Sequence, residues 1–222
     1  RDKLVTGVQT CALPICNSRS TDTFGNRVAI ATRQPRESRD MQKKPIIRDR
    51  RRISDTGIFN IEEIDLEFSN GASRRYQRIV GSQRGAVMVV PLLDPQTVLL
   101  IREYAAGTER YELAFPKGSI EPDEDPLLAA NRELREETGY RAQRLERVST
   151  MSIAPGYLRH TTHIVLAREL YPDRLAGDEP EPIEVVPWKL CELEQLLARD
   201  DFSEARSIAA FYIIRDRVRT TN

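Results

Sequence analysis

The stretch that most restricts how this chain folds runs from residue 86 to 92, where Ala, Val, Met, Val, Val, Pro and Leu follow one another without a polar residue. Such a run has no polar face to turn toward water, so a strand built from it has to be covered on both sides. Val98, Leu99, Leu100 and Ile101 repeat the feature after the turn signal Asp94-Pro95. Around these two central strands the pattern is mixed. Phe59, Ile61, Ile64, Leu66 and Phe68 are spaced for a strand with one irregularity near Glu62-Glu63. Asn70-Gly71 then predicts a two-residue hairpin turn with positive φ at both positions, and the return strand passes through Tyr76 to Ile79. Asp125 as cap, Pro126 at the first helical position and Gly139 as the left-handed stop frame a helix of about 13 residues, with Leu127, Ala130, Leu134 and Thr138 on one stripe. Strand-like segments return near residues 148–153, 163–167 and 183–186, and 192–198 and 204–217 read as amphipathic helices. The class is α/β: an α/β/α sandwich with a mixed central sheet, preceded by an N-terminal antiparallel hairpin.

A chain of 222 residues holds one well-packed domain with an appendage. Its 34 basic and 34 acidic residues cancel, which gives no global attraction to nucleic acid or to a membrane surface. No apolar run approaches the roughly 20 residues that span a bilayer, no secretory leader opens the chain, and the expected location is the cytoplasm. Cys11, Cys16 and Cys191 form neither a disulfide framework nor a zinc-ligand cluster. Residues 1–15 resemble the translated read-through of a sequencing-library adapter, and the stretch to Asp40 is rich in Ser, Thr, Arg and Asn without periodicity. Residues 1–40 are therefore expected to be a disordered or artefactual extension, with Met41 as the natural start; a genuine flexible extension is the alternative. Residues 41–82 are expected to form the hairpin subregion and 83–222 the main domain.

On the capped helix Glu133, Glu136 and Glu137 stand at i, i+3 and i+4, within an arc of about 100° beside the apolar stripe. Like charges at this spacing repel, and they lie toward the helix end whose dipole also disfavours negative charge. A hard divalent cation would offset that cost, since it takes oxygen ligands from carboxylates and from substrate phosphates. On the helix alone a solvated acidic face paired with Arg132 and Arg135 serves equally well.

The segment from Gly118 to Tyr140 decides between these. It resembles the signature box of the Nudix superfamily, which hydrolyses nucleoside diphosphates linked to other groups. All seven fixed positions match: Gly118, Glu124, Arg132, Glu133, Glu136, Glu137 and Gly139. At average residue usage that coincidence arises about once in 10⁸ to 10⁹ windows, and this chain offers about 200. One departure is Tyr140, an aromatic where the pattern has an aliphatic residue. The resemblance implies that Glu133, Glu136 and Glu137 ligate metal, Mg²⁺ or Mn²⁺ in its place, with the Gly118 carbonyl as a further ligand. It also implies that Glu124 and Arg132 form an ion pair holding the helix to its preceding loop, with Gly139 closing the helix. Metal there would neutralise phosphate charge and acidify an attacking water, giving hydrolysis of a phosphoanhydride.

From about residue 46 to 217 the resemblance points within that superfamily to the bacterial NudE-type branch acting on ADP compounds. Its segments are Glu67-Phe68-Ser69-Asn70-Gly71, Leu100-Ile101-Arg102-Glu103-Tyr104-Ala105, Tyr111-Glu112-Leu113, Pro116-Lys117-Gly118, Leu170-Tyr171-Pro172 and residues 177–182. The implied substrates are ADP-ribose, diadenosine di- and triphosphates and NADH, cleaved to AMP and the phosphorylated remainder. Arg102, Glu112, Lys117, Pro155 and Tyr157 are the implied substrate-side residues. Many ADP-ribose hydrolases have Arg-Gln-Tyr-Arg where this chain has Arg102-Glu103-Tyr104-Ala105, so the second arginine is absent. Arg102 or Lys117 replaces its charge, or each is a surface cation. In relatives a loop glutamate closes over the metal as base or ligand, which makes Glu179 and Glu181 the candidates here; a plain Pro-rich connection is the alternative. His163 is read as structural, since hard metals favour oxygen. A non-catalytic ADP-ribose-binding module would not need every box glutamate. A nucleotide-pool cleaner acting on nucleoside triphosphates lacks support in Pro155 and residues 177–182. The branch also implies a homodimer built through the N-terminal hairpin.

Overall fold

The structure is a computed structural model and describes residues 43–221 except 58 and 83. The extension expected over residues 1–40, and Met41, lie outside the described residues. The described residues open with β1 (Ile46–Asp55), β2 (Asn60–Glu67) and β3 (Ser73–Val80), and continue through β4 (Ala86–Asp94), β5 (Thr97–Ala105), β6 (Arg110–Ala114) and β7 (Lys117–Ser119). After α1 (Pro126–Thr138) come β8 (Tyr140–Met151), β9 (Leu158–Arg159), β10 (Thr162–Pro172), β11 (Glu184–Lys189), α2 (Leu193–Leu197) and α3 (Ala205–Thr221).

The central sheet has the order β11-β5-β4-β10-β8, with β6 paired to β5 and β7 to β4. It is mixed, because β10 runs parallel to β4 whereas β8 runs antiparallel to β10 and β5 antiparallel to β4. The unbroken apolar run of β4 is explained by what lies on its two faces. Met88, Val90 and Leu92 pack with Leu193 and Leu196 of α2 and with Ala210, Phe211 and Ile214 of α3. Val87 and Val89 point the other way and meet Ala129, Ala130 and Leu134 of α1. Each fully buried aliphatic side chain contributes about 1.5–3 kcal/mol, so the two faces together fix the three layers.

The N-terminal sheet differs from the expected hairpin by one strand on each side. β2 and β3 pair antiparallel, but β1 adds outside β2 and the short β9 outside β3. β1 escapes a search for apolar alternation because Arg48, Arg50, Arg51 and Arg52 fill its middle. Its charges are matched across the sheet instead, Arg48 with Glu67 at 2.8 Å and Arg51 with Glu63 at 2.6 Å. The Asn70-Gly71 turn also differs: only Gly71 takes a positive φ, of 81°. The Gly71 N–H donates to the Phe68 carbonyl and the Phe68 N–H to the Ala72 carbonyl, so the glycine follows the tight turn instead of forming half of it. β8 begins at Tyr140, directly after α1, earlier than the segment at 148–153 expected from apolar spacing; Arg141, Gln143 and Arg144 interrupt the apolar residues of its first half.

Candidate active site

The helix between Asp125 and Gly139 forms as its end signals dictate. Asp125 accepts from the Leu127 N–H, and Gly139 adopts φ 77° while its N–H closes on the Arg135 carbonyl. One face carries Ala129, Ala130 and Leu134 into the core, and Glu133 and Glu137 ride at its border. β7 runs past that border. A Cβ on Gly118 would stand 2.0 Å from the Glu133 carboxyl carbon, so only glycine lets this carboxylate rest on the strand backbone.

Burial sets the electrostatics. Glu133 and Glu137 are 8% and 4% exposed. Desolvation pushes Glu137 up to about 9, against the opposing charge of Lys117, whose backbone N–H also donates to the carboxylate at 3.0 Å. Desolvation raises Glu133 as well, and the Arg132 charge opposes it. Arg132 is the hub of the helix start. Its guanidinium makes a two-pronged pair with Glu124, both contacts at 3.0 Å, and reaches the Ser119 carbonyl at 2.9 Å. It also donates to Glu133 at 2.8 Å and to Glu136 at 3.0 Å.

Among the described residues no three His, Cys, Asp or Glu side chains converge on one point as a closed metal cluster. Arg132 draws Glu133 and Glu136 to itself. The donor set nevertheless suits a hard cation: two nearly buried carboxylates whose ionisation is opposed by burial, beside a strand backbone that no Cβ screens.

A cleft of about 470 Å³ adjoins this corner, lined in part by Glu103, Tyr104, Glu112, Lys117, Ser203 and Glu204. The Lys117 ammonium reaches Glu103 at 3.2 Å. Burial disfavours the charge of Glu112, but Arg110 and Ser203 outweigh it and hold the carboxyl below its usual value. Arg102 turns elsewhere, pairing with Glu184 at 2.8 Å and Asp201 at 2.5 Å, and so ties β5 to β11 and to the segment before α3. Pro155 and Tyr157 line a separate cleft of about 430 Å³ with Ile64, Tyr76, Arg78 and His160, and share no lining residue with the first. His163 on β10 bonds Thr150 of β8 at 3.0 Å. In the loop after β10, Glu181 accepts from the Tyr111 hydroxyl, and Glu179 folds back over Gly177. Tyr111 and Glu103 lie inside segments that carry the resemblance, but their contacts join distant positions and leave no spacing to read.

Comparison with known proteins places this geometry in a family. Residues 82–211 match the NUDIX domain, and residues 45–78 match the NudE-type Nudix hydrolase N-terminal domain. The chain is 46% identical over 174 residues to the ADP compounds hydrolase NudE of Escherichia coli (strain K12), covering 78% of this chain and 93% of that relative. It is 26% identical over 179 residues to an ADP-ribose pyrophosphatase of Bacillus subtilis (strain 168), covering 80% and 95%. A solved crystal structure of an ADP compounds hydrolase superimposes with a TM-score of 0.76 at 44% identity, over 82% of this chain and 97% of that one. Matched in both its domain and its N-terminal segment, the chain belongs to the Nudix hydrolases of the NudE type.

Proposed function

We propose that this hydrolase cleaves the phosphoanhydride bond of ADP-linked compounds, namely ADP-ribose, diadenosine di- and triphosphates and NADH, releasing AMP and the phosphorylated remainder. The observation that carries the reading is the pair of nearly buried carboxylates, Glu133 and Glu137, pressed against the β7 backbone at Gly118. Arg132 answers the charge of Glu133, but Lys117 does not offset the burial of Glu137, whose carboxyl stays pushed up to about 9 and calls for a further cation. Glu133, Glu136 and Glu137, with the Gly118 carbonyl, would hold Mg²⁺, or Mn²⁺ in its place. When bound, the cation neutralises phosphate charge and acidifies the attacking water. Arg132 and Glu124 hold the helix start against the β7 loop, and Gly139 ends the helix so that the loop after β10 can cross it. Lys117 offers its ammonium to the substrate phosphates, in the cleft it shares with Glu112. Glu179 or Glu181 supplies the base that takes the proton of the attacking water. Arg102, Pro155 and Tyr157 are assigned to substrate binding on the resemblance alone.

A cytoplasmic location fits this substrate class, and no helix of the described residues is long and apolar enough to cross a membrane. A homodimer through the N-terminal sheet is supported by Ile46, Ile47, Ile53 and Phe59, large apolar side chains that stand exposed there.

Hydrolysis of ADP-ribose, NADH, diadenosine triphosphate and 8-oxo-dGTP with Mg²⁺ tests the reading, with Glu137→Gln alongside. The ADP compounds should be cleaved and 8-oxo-dGTP spared, and the variant should lose about 100-fold or more, since metal-held charge is worth several kcal/mol in the transition state. Equal rates in wild type and variant would remove the metal site from the account, and preference for 8-oxo-dGTP would remove the substrate class.

A further inference from the structure

At the end of the central sheet away from Gly118, two arginines face each other. β10 runs alongside β8 with Arg168 directly opposite Arg144. Side chains at such positions stand about 4.5–5.5 Å apart at Cβ, and like charges there repel. Their strand neighbours Ala167 and Leu145 pack on the α1 side, so both arginines belong to the face that meets α2 and α3. Gly118 pairs with Val87 near the start of β4, whereas Arg168 follows Ala167, the partner of Pro91 near its end. Roughly 15 Å of strand, and the sheet itself, separate the arginines from the carboxylate corner.

The pair lines a cavity of about 380 Å³, within the size range of small-molecule sites, whose apolar wall is made by Leu92, Leu93, Pro95 and Val218. Each carboxylate of the lining is already answered. Glu169 holds Arg144 at 3.3 Å, and Asp94 lies 3.7 Å from Lys189 and accepts from the Thr97 hydroxyl at 2.6 Å. Arg168 has no such match: among the described residues no ion pair or hydrogen bond reaches it, and its Nε is buried without a partner. A buried N–H without an acceptor costs stability, so its persistence needs a reason. The backbone beside it is strained as well, since Glu169 takes φ 58°, a left-handed value that few residues other than glycine adopt.

We propose that this cavity is a second ligand site, and that it takes a small phosphate monoester with an apolar body. Arg168 is its principal contact, because the ester supplies the acceptor that the buried Nε–H lacks. Arg144 joins from the neighbouring strand. Its pair with Glu169 has side chains 72% and 50% exposed, weak enough to exchange for a bound anion. Two guanidiniums on separate strands call for acceptors that point in more than one direction. A phosphate monoester offers three oxygens and up to two charges, whereas a carboxylate offers two oxygens in one plane. The body of the ester lies on the apolar wall. The site is independent of the hydrolytic reading, because none of its residues lines the cleft at Lys117.

Titration calorimetry without divalent cation tests this, with phenyl phosphate as the probe and inorganic phosphate and benzoate beside it. Phenyl phosphate should bind once per chain, about tenfold or more tightly than either of the others, since each of those lacks one half of the match. Arg168→Met should weaken it about tenfold or more, the loss expected for charge-assisted hydrogen bonds, and the exposed Arg144→Gln about threefold. Glu137→Gln should leave it unchanged. Arg168→Met keeps the apolar stem and removes the unpartnered N–H, so its ligand-free Tm should equal or exceed that of the wild type. Phenyl phosphate should raise the Tm of the wild type and not that of Arg168→Met. No binding by the wild type, undiminished binding in Arg168→Met and Arg144→Gln, or loss in Glu137→Gln overturns the site. Benzoate or inorganic phosphate binding as tightly as phenyl phosphate overturns the ligand class. A lower ligand-free Tm in Arg168→Met makes that side chain a structural one and overturns its role.

Discussion

Glu137 shows how a single residue links stability to chemistry. Its carboxyl is pushed from the ordinary 4.5 up to about 9 by burial, so without a cation the fold favours the protonated form. Below pH 4.5 the group is protonated in folded and unfolded chains alike. Above it the unfolded chain ionises freely while the folded one resists, so stability declines as pH rises from about 4.5 toward 9 and then levels. Thermal melts of the cation-free protein should show this decline, Mg²⁺ should raise the Tm at the alkaline end, and Glu137→Gln should flatten the slope. A slope that survives in Glu137→Gln assigns it to other groups. Gly118 makes the complementary prediction. Gly118→Ala places a methyl group where the Glu133 carboxylate lies. Activity should fall about 10–100-fold, as when a metal site loses its orientation, with the far-UV circular dichroism spectrum unchanged. Near-normal activity would mean that Glu133 moves aside without consequence. The box residues were legible because they lie within one short segment that resembles a family signature; the helical spacing of Glu133, Glu136 and Glu137 alone left an acidic surface open. The contact of Tyr111 was not, because its hydroxyl meets Glu181 only when the loop after β10 comes beside β6.

At the scale of elements, α1 is specified by its ends. Asp125→Ala should cost about 1 kcal/mol in urea unfolding through the lost cap. Gly139→Ala should cost more, about 1–3 kcal/mol, because alanine resists the left-handed conformation at φ 77° and its Cβ would crowd Arg174 at 3.0 Å. An equal or smaller cost for Gly139→Ala would show that the C-cap relaxes without strain. Caps act within one turn, which is why this helix could be placed from sequence to the residue. β1 could not. Arg48, Arg50, Arg51 and Arg52 hide its pleat, and its partners Glu62, Glu63 and Glu67 come into play only once β2 lies alongside. Exposed pairs of this kind are worth at most about 1 kcal/mol each, so they set register more than they stabilise the sheet.

For the whole molecule, the N-terminal sheet presents Ile46, Ile47, Ile53 and Phe59 to solvent, 53%, 42%, 46% and 57% exposed, more apolar surface than β1 and its flank need for folding alone. Light scattering on the eluting protein should give a dimer, and Ile47→Asp combined with Ile53→Asp should give a folded monomer; a monomeric wild type removes the proposed assembly. Three layers and a mixed sheet followed from sequence, because apolar runs at residues 86–92 and 98–101 allow no arrangement but one covered on both faces. The carboxylate helix followed too, because its caps and its 3.6-residue spacing are local properties of the chain. What only the tertiary structure decided is where distant segments meet. It turned Arg102 toward Glu184 and Asp201, set Pro155 and Tyr157 in a cleft apart from the carboxylates, and tied Glu181 to Tyr111. Those contacts depend on strand order and loop paths, which hydrophobic packing selects globally and no short-range pattern records.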